Sequence, residues 1–380
     1  MFDTKRTRFT KVLLLVVLFA SFVLIGCAGV RGWPGSSVDD GVLYVGTIDG
    51  RILALNPESG VTKWEWKPEV QKGEQTGFMG CGSSGGGGQF KTGMYYGSPV
   101  VANGLLYIGA HDGDVYAVDV VRGKEEWRYN TGSSIAGGVA VGENTVFVGS
   151  SNGKLSALDA GNGSLMWEFP TKDEVWTTPV VADGVVYFGS LDHNLYAVDI
   201  ETHELKWKEP FRTGGGIASP PLVVDSVVYF GSFDSKFYAV YADTGEPKWS
   251  QPFEAGSWFW SQALYKDGVI YVGCLDHKVY ALDADDGTLS WPEPFDAGSL
   301  VKSSPIIAGG VLVVASEMGK VYGLDLVTGE KKWQFDDIGA KVLSSLSTDG
   351  EKVYISAQDN RLYALDGETG HQAWRVSLVK

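Results

Sequence analysis

One eleven-residue frame, Ala281-Leu-Asp283-Ala-Asp-Asp-Gly287-Thr-Leu-Ser-Trp291, limits what this chain can fold into more than any other feature, because it recurs along nearly the whole sequence. The other copies run from 54 to Trp64, 117 to Trp127, 157 to Trp167, 197 to Trp207, 239 to Trp249, 323 to Trp333 and 364 to Trp374. Successive terminal tryptophans of the eight copies lie 63, 40, 40, 42, 42, 42 and 41 positions apart. A fixed period near forty is the signature of stacked supersecondary units rather than of a chain of unrelated elements.

Each frame follows a strand-like run aligned on its own glycine, as in Tyr44-Val-Gly46, Tyr107-Ile-Gly109, Phe147-Val-Gly149 and Tyr187-Phe-Gly189. One period then reads as four short strands, for example Pro179-Val-Val, 185–189, 195–198 and Leu205-Lys-Trp207. Two-residue hairpin signals separate them, among them Asp49-Gly50, Asp112-Gly113, Asn152-Gly153 and Asp359-Asn360. Four strands per forty residues make a propeller blade. The expected fold is all-β: an eight-bladed propeller of four-stranded antiparallel blades over 36–380, expected to be monomeric. Its first strand is weak, since Ser37-Val38-Asp39 stands where other blades carry Val-Val-Ala, and blade 1 is expected to need the 375–380 tail beside it.

The N-terminus differs in kind. Lys5, Arg6, Arg8 and Lys11 precede an apolar stretch from 12 to 25 that is short for a bilayer span, as in a secretory signal. It ends in Leu24-Ile25-Gly26-Cys27, which resembles a bacterial lipobox. That resemblance implies a signal peptide at 1–26, lipidation of Cys27, a tether over 27–35 and an extracytoplasmic, membrane-anchored protein, at the periplasmic face of an outer membrane or on the cell surface. A signal anchor with an incidental cysteine is the alternative.

Removing residues 1–26 takes away four basic residues and Asp3, moving the formal charge from −15 to −18. Such a surface repels nucleic acid, and no basic stripe is present. Cys274 falls at a small-residue position held elsewhere by Ser150, Ser190 and Ser232, which predicts a buried free thiol; pairing with Cys81 stays open. The histidines His111, His193, His203, His277 and His371 are scattered, and no zinc-ligand spacing or nucleophile elbow occurs, so neither a metal site nor a catalytic site is expected. About twenty extra residues between Glu69 and Tyr95 include the run from Gly80 to Gly88. No helix pattern follows its G-x-G-x-x-G, so it reads as a surface loop, not a dinucleotide site.

Within the frame, each indole is expected to cement neighbouring blades, burying about 150–250 Å², roughly 4–6 kcal/mol before entropy. The glycine permits a positive φ or a close ring approach, and the aspartate caps its turn. This frame resembles the tryptophan-docking motif of quinoprotein-type eight-bladed propellers, shared by PQQ-dependent alcohol dehydrogenases and BamB-type outer-membrane assembly lipoproteins. The resemblance covers about 36–374. His203 stands for glycine in blade 4, Tyr241 for aspartate in blade 5 and Gly323 for alanine in blade 7. The dehydrogenases are longer and set an adjacent cysteine pair above their cofactor; no two cysteines are adjacent here, so no cofactor is expected. The closer resemblance is to BamB-type proteins, which implies a non-enzymatic, lipid-anchored scaffold holding protein partners in an envelope complex. A ligand-binding or sensory ectodomain is the second reading and a quinoprotein-like enzyme the third.

One pattern is not required by blade formation. Trp33, Tyr96, Trp176 and Trp260 stand three residues before the positions that open the inner strands, where other blades have Ala136, Ala218, Lys302 and Leu343. These aromatics are expected on the face carrying the Asp-Gly hairpins and the glycine-rich loop. They either line a binding mouth or plug the channel as packing.

Overall fold

The computed structural model describes residues 34–69 and 94–379, and within them every regular element is a β-strand. The strands form eight sheets of four, each built from consecutive strands. Blade 3 shows the plan: Val139–Gly142, Thr145–Ser150, Lys154–Asp159 and Leu165–Pro170, paired antiparallel in that order. First strands of neighbouring blades approach one another, including Ser36–Asp39 of blade 1 and Ser347–Thr348 of blade 8, so they ring a central axis. The fold is the eight-bladed β-propeller expected.

Alternation along each strand sends side chains to both faces of a blade, and each face packs on a neighbour. The hydrophobic interior is consequently divided into eight clusters, one per blade boundary. Phe147, Leu155 and Ala157 of blade 3, for instance, meet Val186, Phe188 and Tyr196 of blade 4.

The frame is the joint between clusters. A bulge follows the frame alanine in blades 1, 2, 3 and 8 and Gly323 in blade 7, setting the alanine or glycine opposite the tryptophan. The indole N–H then crosses to a backbone carbonyl in the next blade's turn: Trp127 to Ala160 at 2.9 Å, Trp207 to Ala242 at 2.9 Å and Trp291 to Leu326 at 3.0 Å. A strand tyrosine often shares the same acceptor, as Tyr107 does at Ala160 and Tyr271 at Leu326. The sequence marks these tyrosines as strand residues; their hydroxyls prove to be second pins across the boundary. Frame aspartates accept backbone N–H groups two and three residues on, as Asp159 does from Gly161 and Asn162. The Thr328 N–H, the Lys332 ammonium and the Val327 N–H hold the Asp325 carboxyl down at about 2.

The frame glycine lies directly on the preceding indole. A Cβ on Gly163, at φ +72°, would stand 2.5 Å from Trp127 Cε3. His203 keeps the same left-handed backbone at φ 62° and stacks its imidazole on Trp167, with centroids 4.8 Å apart. The substitution exchanges glycine contact for ring contact. Gly323 has a reason of its own, since a Cβ there would meet Trp333 Cε2 at 2.2 Å.

The sequence reading places the fourth strand of blade 4 at Leu205-Lys-Trp207, and the structure corrects it. Only isolated bridges form at Leu205, Pro247 and Leu289, and the outer strands of blades 4 to 6 shrink to Phe211–Arg212, Phe253–Glu254 and Phe295–Asp296. Pro210, Pro252 and Pro294 precede these strands, within the stretches that lengthen the period from 40 to 42. A proline cannot donate to a ladder, so the edge is broken there.

Ring closure uses no strand exchange. Trp374 of blade 8 donates its indole N–H to Pro57 O of blade 1 at 2.9 Å, and Lys352 pairs with Glu58 at 2.9 Å. The tail touches blade 1 as well. Past the outer strand Gln372–Ser377, Leu378 packs in one cluster with Leu43, Val45 and Leu53 of blade 1. Its carbonyl accepts a 2.6 Å hydrogen bond from Arg51, whose other nitrogens hold Asp49 and Glu65.

Candidate functional site

Two sets of loops share one face of the ring: hairpins between second and third strands, and connectors leading into the next blade's inner strand. Backbone hydrogen bonds tie the two sets together, from His111 N to Met94 O, Leu191 N to Glu174 O, Leu275 N to Trp258 O and Glu317 N to Leu300 O. The hairpins close on left-handed residues, among them Gly113 at φ 93°, His193 at φ 75° and His277 at φ 77°. The expectation that the aromatic connectors and these hairpins share a face holds for Tyr96, Trp176 and Trp260. Trp33, Cys27, Cys81 and the glycine-rich insertion lie outside the described residues.

The three aromatics are each half-buried and engage separate neighbours. Tyr96 meets His111 edge to face at 5.1 Å, and burial holds the His111 imidazole below its usual range despite Asp112. Trp176 donates its indole N–H to Glu174 on its own connector. Trp260 belongs to a larger group: Phe233 stacks with Trp258, 4.7 Å away at 25°, and with Trp260, 5.7 Å away at 14°. Trp258 was not singled out by the repeat. The signal was the alternation Trp258-Phe259-Trp260, whose middle ring is fully buried while the flanking indoles are partly exposed.

Moving around the ring, the corresponding positions turn from aromatic to charged. Glu317 of blade 7 binds Lys302 at 3.0 Å and Lys341, on the connector into blade 8, at 2.6 Å. Burial raises the Glu317 carboxyl, but Lys341 and Lys302 outweigh it and hold the group below the ordinary carboxylate range.

Just inside this face, the starts of the inner strands are laced together. Gly138 N donates to Thr178 Oγ1 at 2.7 Å, Gln262 N to Ser304 Oγ at 3.1 Å, and Ser304 and Ser345 hydroxyls meet at 3.4 Å. Small side chains are required here, because a Cβ on Gly97 would stand 2.5 Å from Gly138 Cα. Cys274 lies beneath the face as a buried free thiol, bonded to Ser257 O, and burial pushes it up to about 12. Among the described residues no group of three or more His, Cys, Asp or Glu side chains is arranged to hold a metal ion.

Fold and joints together define a tryptophan-docked, eight-bladed propeller with an aromatic and charged loop face. The family model for the outer membrane protein assembly factor BamB matches residues 26–136, 111–258, 192–335 and 336–380, and the chain belongs to that family. A BamB from Xanthomonas campestris pv. campestris is 34% identical over 103 residues, which are 27% of this chain and 22% of that protein. A quinohemoprotein alcohol dehydrogenase from Comamonas testosteroni is 31% identical over 111 residues, 29% of this chain and 14% of the enzyme. These alignments therefore span less than a quarter of either relative. The crystal structure of BamB from Moraxella catarrhalis superposes with a TM-score of 0.63 at 18% identity, over 74% of this chain and 87% of that one, a likeness of fold.

Proposed function

We propose that this protein is a non-enzymatic, lipid-anchored scaffold of the bacterial envelope that holds protein partners through its loop face, in the manner of an outer-membrane assembly factor. The observation that carries the reading is the family match running the length of the propeller. Local chemistry supports it. The frame carboxylates are engaged with turn N–H groups and the frame indoles with neighbouring blades, so the repeat spends its polar residues on architecture. What it leaves over are partly exposed aromatics on a rigid ring, the residue type that dominates binding hot spots. In this reading Cys27 carries the anchor at the periplasmic face of the outer membrane, and Trp33, Tyr96, Trp176 and Trp260 belong to the binding face.

The test uses the lipidated protein recovered from envelope membranes together with its partners. Tyr96→Ala combined with Trp176→Ala is expected to remove the co-purifying barrel-assembly proteins while leaving the unfolding midpoint unchanged. Retained capture would refute the assignment of the face, and Cys27→Ser is expected to release the protein from the membrane fraction. The alignment with the quinohemoprotein dehydrogenase favours a second reading, an enzyme using a quinone. Purified protein titrated with PQQ and calcium separates the two, since a saturable quinone absorbance with alcohol oxidation supports the enzyme and overturns the scaffold.

A further inference from the structure

The sector from blade 5 to blade 8 of the loop face contains two features that blade formation does not call for. The first is the three-ring stack Trp258–Phe233–Trp260. Phe233 stacks with both indoles, so it occupies one face of each. Among the described residues neither indole pairs with a ring other than Phe233. Each therefore offers at most one free face, a one-sided platform.

The second feature is the Lys302–Glu317–Lys341 group, in which two ammonium groups share one carboxylate. It holds a net positive charge on a chain whose formal charge is −15. The two features are neighbours by construction. Trp260 and Lys302 occupy the same position in successive connectors, and two residues further on Gln262 N is bonded to Ser304 Oγ. In the hairpin between them, Leu275 is partly exposed and fills the place that Phe233 holds one blade earlier and Glu317 one blade later.

We propose that this sector is a binding site for an acidic sugar, a pyranose ring bearing a carboxylate. The negative face of an indole attracts the weakly positive C–H bonds of a saturated ring, which needs a platform on one side only. The carboxylate of the same or the next sugar residue then reaches the lysines one blade further round. Lys302 and Lys341 are already partly desolvated and held in place by Glu317, with side-chain exposures of 21% and 54%, so little ordering remains to be done on binding. The proposal shares Trp260 with the scaffold reading but is tested apart from it, because the ligand is not a protein and the assay contains no partner.

The experiment titrates the full lipidated protein in detergent with an oligogalacturonate, followed by indole fluorescence and by calorimetry. Its methyl ester, which keeps every ring and removes every charge, is the matched probe. Expected are saturable binding of the acid, at least tenfold weaker binding of the ester, and affinity that falls as salt rises. Trp260→Ala should lower affinity at least tenfold. Lys302→Met should erase the preference for acid over ester, whereas Lys302→Arg should preserve it, which separates charge reading from damage to the fold. Absence of binding at millimolar oligogalacturonate would overturn the proposal, as would equal binding of acid and ester or indifference to Trp260→Ala. Tighter binding of 2-naphthoate than of the sugar would also overturn it, in favour of flat aromatic acids.

Discussion

Placing a methyl group on Gly163 tests whether the blades are held apart at the distance the docked indole dictates. Two costs add. An L-residue in the left-handed region at φ +72° costs about 1–2 kcal/mol. The new Cβ would also lie 2.5 Å from Trp127 Cε3, where carbon atoms normally rest about 3.5–4.0 Å apart. The indole cannot simply withdraw, because its N–H is bonded to Ala160 O at 2.9 Å and its ring is largely buried in the boundary. Overpacking of this kind costs about 1–3 kcal/mol, so Gly163→Ala should destabilise by about 2–5 kcal/mol in all. Gly104→Ala is the control, since Gly104 has φ +77° and nothing within 4 Å of the added Cβ. It should show the backbone cost alone, about 1–2 kcal/mol. His203→Gly completes the set: it relieves the left-handed cost and removes a ring stack worth about 0.5–1.5 kcal/mol, so the two should nearly cancel. Equilibrium urea unfolding followed by indole fluorescence measures all three, with midpoints compared at constant slope. Equal losses in Gly163→Ala and Gly104→Ala would refute the reasoning, for they would mean that the indole does not set the glycine.

Arg51→Met removes the hydrogen bond to Leu378 O and leaves that acceptor without its donor, and should cost about 1–3 kcal/mol. Its mark should be faster hydrogen exchange at the seam of blades 8 and 1, with blades 3 to 6 unchanged. Stability should fall at both ends of the pH scale. Burial, with Asp183 and Asp243 adding to it, pushes the Tyr187 hydroxyl up to about 12. The folded protein thus keeps a proton that the unfolded chain releases near ~10, and urea midpoints should decline as pH rises from about 10 towards 12. Glu317 and Asp325 are held below the ordinary carboxylate range, so their contribution is present above pH ~4 and is lost as pH falls below it. In a Cys81→Ser variant, Cys274 should resist thiol reagents until the chain unfolds, because its thiol is buried and pushed up to about 12.

The sequence shows the architecture plainly because a propeller repeats its joints. The spacing of Trp127, Trp167 and Trp207 reports the blade period, and the positions of Asp159 and Gly163 report a turn whose geometry is local. Hydroxyl pins such as Tyr107 to Ala160 were not legible, since they span a blade boundary and no local pattern marks their acceptor. The shortened outer strands of blades 4 to 6 were misplaced for a related reason. Leu205-Lys-Trp207 has strand composition, but only Leu205 bridges its neighbour, at Val198, and the ladder resumes at Phe211 beyond Pro210. On the loop face, Tyr96, Trp176 and Trp260 stood out because they break the repeat. Trp258 did not, and the Glu317 bridge to Lys302 and Lys341 is invisible without the curvature that brings three separate loops together.

Because every blade is cut from one continuous stretch of chain, the seam between blades 8 and 1 is joined by side chains of the same kind as the seam between blades 2 and 3: an indole to a carbonyl, a tyrosine hydroxyl to the same carbonyl and a shared apolar cluster. The seam at which the ring closes is then one joint among its neighbours. A circular permutant opened in the connector before another inner strand would keep every blade whole. The ring can assemble as a row of neighbours whose last event is the meeting of its two ends, and that meeting adds one ordinary contact more.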